Sequence, residues 1–473
     1  MKTSSSLRRL SVIAVATLLG ACSFIPTYER PAAPVADAWP DATATGGTPA
    51  PDLPWTDFLP DARMRVLVDT ALQNNRDLRL AVLNVEQVRA LYGVQRADLL
   101  PSVGAVVGAS RAPGANGSIS STYSAGLAVS AFELDLFGRV RSLSQAALAR
   151  YFASDEGRRA AQVSLIAAVA NAELALRADA ELLAVTQRTL DSRIDGLKLT
   201  RLKFDNGIIG EPDLRSAESL VAGARASLIA LQRQRSQDNN ALVLLIGQPL
   251  PATLPLAPPL SAVHFADLPA GLPSEVLLKR PDILQAEQQL RAANANIGAA
   301  RAAFFPRITL TGSAGFASNH LSSLFDNTAW TFAPQLLQPL FDAGRNTANL
   351  AAAKAAREIA VAQYEKAIQT AFREVADALA GRATLSGQLA AQQAQADAEA
   401  RRLQLAELLF NAGAASALDR LDAERAALAA RQAVVQLHLA QLQNAVLLYR
   451  VLGGGAGPAG AGEAGGGATT AQR

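Results

Sequence analysis

Few side chains in this chain are equipped for bond-making chemistry, and their spacing keeps them apart. The three histidines are His264, His320 and His438, and none opens a His-Glu-x-x-His run, so no helical face is expected to offer two imidazoles to a metal. No Gly-Lys dipeptide occurs, which removes the phosphate-cradling loop of a nucleotide hydrolase. The one thiol is Cys22, which has no second cysteine to pair with in a disulfide. No catalytic constellation, cofactor site or metal site is therefore expected, and the chemistry on offer is modification of Cys22.

The residues before Cys22 give that modification a context. Lys2, Arg8 and Arg9 precede an apolar run from Val12 to Leu19, which ends in Leu19-Gly20-Ala21-Cys22. The run is too short to span a bilayer and reads as a cleaved export signal, residues 1–21. Its last four residues resemble the bacterial lipoprotein signal, in which small residues precede a lipidated cysteine. The similarity implies that Cys22 becomes the mature amino terminus and carries acyl chains, each buried CH₂ adding about 0.8 kcal/mol of membrane affinity. Ser23 follows it rather than Asp, which in such lipoproteins resembles sorting to the outer membrane. The alternative is an ordinary secretory signal followed by an unmodified cysteine. Removing the three basic residues of the signal from 44 leaves 41 against 41 acidic ones, so the mature chain is neutral and gives no electrostatic case for nucleic-acid binding.

The elements that must position these residues come in two copies. An offset of 205 maps Asp77, Ala81, Arg96, Ala97 and Pro101 onto Asp282, Ala286, Arg301, Ala302 and Pro306. One inserted residue shifts the offset to 206, which maps Gly138-Arg139 onto Gly344-Arg345. The same offset maps Phe204, Gly207, Asp213, Glu218, Arg225 and Gly247 onto Phe410, Gly413, Asp419, Glu424, Arg431 and Gly453. Two registers held that far indicate a duplication.

Within each copy the apolar period changes from helix to strand and back. Helix is expected from about Asp61 to Asp98, stopped by Pro101. Then Val103, Ala105, Val107 and Ala109 alternate with small or polar residues, and Tyr123, Ala125, Leu127, Val129 and Ala131 do so after a Gly-rich loop. The second copy repeats this with Ile308, Leu310, Ala314 and Phe316, then Trp330, Phe332 and Leu336. Strands at about 102–111, 121–133, 307–316 and 328–339 have the length that crosses a bilayer when tilted, and Phe304-Phe305-Pro306 is an aromatic entry to one of them. A soluble hairpin packed on helices would alternate in the same way. Long helical stretches follow from Gly138 to about Phe204 and from Gly344 to about Phe410, each about 100 Å at 1.5 Å per residue. Both stop at a glycine, and helices restart at Pro212-Asp213 and at Ser416, where Asp419 completes a capping box. Asp213 and Asp419 are thereby expected as ordinary acids at helix amino termini.

The expected organisation is a signal (1–21), an extended lipidated segment (22–60), a first repeat (61–247), a Pro-rich linker (248–273), a second repeat (274–453) and a Gly/Ala-rich disordered tail (454–473). Few aromatic residues, 5% of the chain, leave little for a thick core. Four membrane strands leave two open edges, which lipid does not tolerate, and closed barrels begin at about 8 strands. Subunits must pool their strands, and the long helices must wrap into a shared cylinder. A barrel continued by a cylinder is a tube, whose function is passage.

Several segments in order resemble the TolC-like outer-membrane efflux proteins, specifically the lipidated branch that serves resistance-nodulation-division pumps. They are Cys22 to Pro31, Arg280-Pro281-Asp282-Ile283, Ala303-Phe304-Phe305-Pro306, Leu340-Phe341-Asp342-Ala343-Gly344-Arg345 and Leu421-Asp422-Ala423-Glu424-Arg425. The resemblance spans Cys22 to Gly453. It implies a mainly α fold with a membrane β-barrel portion, a homotrimer whose four strands per chain give a twelve-stranded barrel, and a twelve-helix α-barrel in the periplasm. It further implies an exit duct in the outer membrane that docks to a periplasmic adaptor (membrane fusion) protein and an inner-membrane transporter, with drugs, metal ions or other small molecules as cargo. In this family an iris of helices closes the periplasmic end, held by leucine, aspartate and arginine positions that here match Leu418, Asp422 and Arg425. By their spacing alone, Asp422 and Arg425 are an i,i+3 surface pair of a few tenths of a kcal/mol. A protein-secretion component on the same fold and a lipid-anchored periplasmic helical scaffold are the competing functions.

Overall fold

The computed structural model describes residues 23–39, 48–113, 117–251, 253–270 and 278–455. Cys22, the export signal and the tail beyond residue 455 lie outside the described residues.

The elements form two matching sets. The first holds α1 (Ala62–Asn74), α2 (Arg76–Ala97), β1 (Val103–Pro113), β2 (Ile119–Leu134), α3 (Arg139–Asp205) and α4 (Glu211–Ile246). The second holds α5 (Pro281–Ala302), β3 (Arg307–Ser318), β4 (Thr328–Leu337), α6 (Arg345–Asn411) and α7 (Ala417–Val451). The helical counterparts agree closely in length: α2 and α5 have 22 residues each and α3 and α6 have 67 each. Backbone geometry repeats as well, with positive φ at Gly138 and Gly344, Gly207 and Gly413, and Gly247 and Gly453. At Gly247 the demand is double, because φ is 76° and an added Cβ would strike the Asn74 carbonyl.

The helix expected from Asp61 to Asp98 is two helices. Asn75 sits between them with extended backbone, φ −62° and ψ 131°. Its Oδ1 accepts from Leu78 N–H at 2.8 Å and its Nδ2 donates to the Leu245 carbonyl at 2.8 Å, so one side chain caps α2 and satisfies the end of α4. The segment expected to run extended to residue 60 also contains a helical turn, Trp55–Phe58, with both of those aromatics buried.

The chain divides into two compact units. One comprises Met1–Ala33, Val82–Gly157 and Leu284–Ala367, and the other Pro34–Ala81, Arg158–Ile283 and Ile368–Arg473.

The first unit contains a four-stranded antiparallel sheet in the order β1-β2-β3-β4. Register assigns the faces: Val103 pairs with Val129, Ala105 with Leu127, Leu127 with Ala314, and Ala314 with Trp330. The apolar sets therefore share one face, where Val107 is 83% and Trp330 77% exposed. The other face carries Gly104, Gly108, Ser124, Thr309, Ser313 and Gln335. A band of uncovered apolar side chains of this extent is a surface for lipid rather than for water. One expectation fails in detail: Ala131 does not continue the apolar face. A bulge between Val129 and Phe132 shifts the register, Ala131 takes φ 49°, and Phe132 rather than Ala131 pairs across to Leu310. Among the described residues no helix is long and apolar enough to cross a membrane.

The same unit holds the amino-terminal segment as a strap along α5. Phe24 O accepts from Arg301 at 3.2 Å, Pro26 O accepts from Asn294 at 2.7 Å, and Arg30 meets Glu287 with both oxygens of the carboxylate. Ile25 lies where a side chain on Gly298 would have to be. Glu287 is almost fully buried and also accepts from Tyr28 and Arg291 at 3.1 and 2.9 Å. These partners hold its carboxyl below the usual range, against the opposing push of burial. As the strap runs back towards residue 23 it advances towards the carboxyl end of α5.

The second unit has its own core. Phe58 stacks on Tyr449 with centroids 3.9 Å apart and on Phe265 at 4.9 Å, and Leu67, Val68, Leu242 and Ile246 are fully buried. The Tyr449 hydroxyl donates to the Leu53 carbonyl at 2.7 Å. A second cluster, Leu190, Val221, Ala224 and Leu228, joins α3 to α4.

Candidate functional site

The start of α7 is where the family-derived residues fall, and its local structure follows from the sequence. After α6 the chain closes with Ala414 N–H on the Leu409 carbonyl at 2.8 Å, Gly413 taking φ 74° between them. Ser416 then caps α7: its Oγ accepts from Asp419 N–H at 3.2 Å, while Asp419 Oδ2 accepts from Ser416 N–H at 3.2 Å. The Ser416 hydroxyl and backbone N–H hold the Asp419 carboxyl below its ordinary value. Asp419 thus has the capping role its position suggested.

Leu418, Asp422 and Arg425 lie on one strip of α7. Leu418 is 62% exposed, and the Arg425 guanidinium donates to Asp422 at 3.4 Å with both side chains more than half exposed. The strip is a thinly held charged surface with an apolar knob at its end, suited to meeting another surface rather than to chemistry.

The opposite side of α7 holds residues that sequence reasoning did not single out as functional. Glu424 accepts from Arg193 of α3 at 2.8 Å, and Arg193 donates also to the Leu220 carbonyl of α4 at 3.2 Å. One guanidinium thereby joins three helices, with side-chain exposures of 8% for Arg193 and 12% for Glu424. Next to it Arg420 and Lys203 flank the ring of Phe410, at 5.0 and 4.9 Å from its centroid. Leu421, Ala423 and Ala427 of the same helix are buried. In the sequence Glu424 was marked by the offset that paired it with Glu218 and by its place in the segment Leu421 to Arg425; nothing marked Arg193, whose place in the second copy is taken by Glu399. Cys22, the other expected site, lies outside the described residues. Among those residues no three His, Cys, Asp or Glu side chains gather as a metal site.

The model of the outer membrane efflux protein family matches residues 67–248 and 272–454, one match for each repeat. The chain belongs to that family. It is 45% identical to the probable efflux pump outer membrane protein TtgC of Pseudomonas putida over 461 residues, covering 94% of this chain and 95% of the relative. It is equally 45% identical to outer membrane protein OprJ of Pseudomonas aeruginosa, over 94% of this chain and 95% of that one. Among solved structures, the open state of the MtrE outer membrane channel of Neisseria gonorrhoeae superposes with a TM-score of 0.86 at 43% identity, covering 92% of this chain and 98% of MtrE. The uncovered apolar face of the sheet is thus the lipid-facing wall of an outer-membrane efflux channel, and the family's role is transport, not catalysis.

Proposed function

We propose that this chain forms, as a homotrimer, the exit duct of a tripartite efflux pump, conducting small molecules passively from the periplasm to the outside. A periplasmic adaptor and an inner-membrane resistance-nodulation-division transporter complete the pump, and the transporter supplies the energy. Leu418, Asp422 and Arg425 form the periplasmic gate, and acylated Cys22 anchors the chain to outer-membrane lipid.

The observation that carries this reading is the sheet. Its four strands alternate in direction and leave the outer edges of β1 and β4 without partners among the described residues. Unpaired backbone groups facing hydrocarbon cost several kcal/mol each. With an even number of strands, β4 of one copy can meet β1 of the next antiparallel, so three copies close a ring without a parallel seam. TtgC is named an efflux pump component and MtrE a channel, in keeping with such a duct. Native mass measurement after mild detergent extraction should give three chains, and a stable monomer would defeat the pooled-barrel reading.

A further inference from the structure

Where the amino-terminal strap meets the end of α5, a crevice of about 220 Å³ opens beside the sheet. Its apolar wall is Leu134, Phe137, Phe305, Pro306, Leu337 and Pro339, and its polar wall is the Glu133 carboxylate with Arg139 and Arg307 at 2.7 and 2.6 Å. Phe305 stacks on Phe137 at 4.8 Å and on Phe24 at 4.7 Å, so the strap ends on a side chain that lines the crevice.

We propose that this crevice is the seat of an acyl chain carried by Cys22. The proposal rests on the reading that Cys22 is acylated. Its grounds are chain length and chemistry. Cys22 stands two positions before Phe24, a reach of about 7 Å at full extension. The strap is fixed at Phe24, Pro26 and Arg30, and the Phe24 ring stacks on Phe305 of the apolar wall, so a lipid on Cys22 has only that short reach of backbone to span before it meets the wall. The wall is built of rings, two prolines and leucines with no hydrogen-bonding side chain, which suits methylene groups. Arg307 remains 55% exposed beyond its contact with Glu133, and its other N–H groups can donate to an ester carbonyl at the head of the chain. One acyl chain is seated on the protein and the others enter the bilayer, so the lipid braces the strap against the sheet.

The test uses the full-length protein in outer membranes from cells fed a fatty acid bearing both an alkyne and a diazirine. Irradiation followed by peptide mapping should place crosslinks on Leu134, Phe137, Leu337 and Pro339, and Pro339→Trp, which fills the crevice, should lose most of them while the trimer and its label persist. Labelled wild type crosslinked only on the strand faces around Trp330 and Phe332, or only to lipid, would overturn the seat and leave acylation standing. Crevice crosslinks that persist in Cys22→Ala would mean that a free membrane phospholipid is the occupant, which also overturns the proposal. Wild type carrying no label at all would overturn both the seat and the acylation beneath it.

Discussion

Asp422 and Arg425 face solvent at 3.4 Å, an arrangement worth a few tenths of a kcal/mol in one chain. If they form the proposed gate, three copies of each meet near the trimer axis, where like charges repel unless opposite partners lie between them. Replacing both with Ala should therefore raise single-channel conductance in planar bilayers without loss of the trimer. The same change at Glu218 and Arg225 should leave conductance at the wild-type level; equal behaviour of the two double variants would reduce Asp422 and Arg425 to surface charge. Glu424 should behave otherwise. Glu424→Ala strands a buried Arg193 cation, at a cost of about 3 kcal/mol, and should lower the thermal unfolding temperature where Asp422→Ala does not. A third residue-scale effect is pH-dependent. Asp179 of α3 is buried against Asp238 of α4, with Arg235 as the opposing cation, and burial followed by the facing carboxylate pushes its pKa up to about 6. A folded-state pKa above the unfolded value means that the native state holds a proton the unfolded chain has released. Stability should then be greatest below about pH 4 for this group and fall as pH rises through 6. Asp179→Asn should remove that slope and gain about 1–2 kcal/mol near neutrality, read as the difference between unfolding curves at pH 5 and 7.5.

At the scale of elements, much was legible. Alternation marked the strands because one face of each meets lipid and the other does not, and positive-φ glycines at a constant offset marked the ends of the long helices. What escaped were features decided by a partner distant in sequence. Asn75 looks like any polar residue in a helical run until Leu245, 170 positions away, supplies the carbonyl that its side chain satisfies. The β2 bulge is fixed by pairing with β3, and the Arg193–Glu424 tie by the rotation of α3 and α7, neither of which a local pattern records. The strip of Leu418, Asp422 and Arg425 came from likeness to a family rather than from spacing. Asn75→Ala should cost about 1–2 kcal/mol through the lost cap and the orphaned carbonyl, and Gly247→Ala should cost at least as much because φ and space both oppose a Cβ. Either variant should raise protease sensitivity around residues 74–76; cleavage unchanged from wild type would show that the joint between α1 and α2 is not what they hold.

For the whole molecule, assembly depends on the apolar face and on the strand edges together. Phe332 stands on that face, 63% exposed, and pairs with Gly312. Phe332→Arg should cost about 2–4 kcal/mol if the site lies near the bilayer midplane, and should appear as a loss of folded trimer in heat-modifiability gels. Thr331→Arg, its neighbour on the opposite face, should assemble normally and change ion selectivity instead. Loss of the trimer in Thr331→Arg with normal assembly of Phe332→Arg would mean that the faces have been assigned the wrong way round.

The continuity of the sheet order has a further consequence. The β2–β3 seam joins two repeats within one chain, and in a trimer the β4–β1 seam would join two repeats between chains, so the ring would have six near-equivalent joints, three covalently bridged. Six separate half-chains could close the same ring, but all their helical turns would be alike. Fusion frees alternate turns to diverge, and they have: Gly-Ile-Ile-Gly followed by Glu-Pro opens α4, whereas Gly-Ala-Ala-Ser with a capping box opens α7. A threefold assembly of this chain would thus offer its partners two kinds of helical tip in alternation, a pattern that six identical units cannot display.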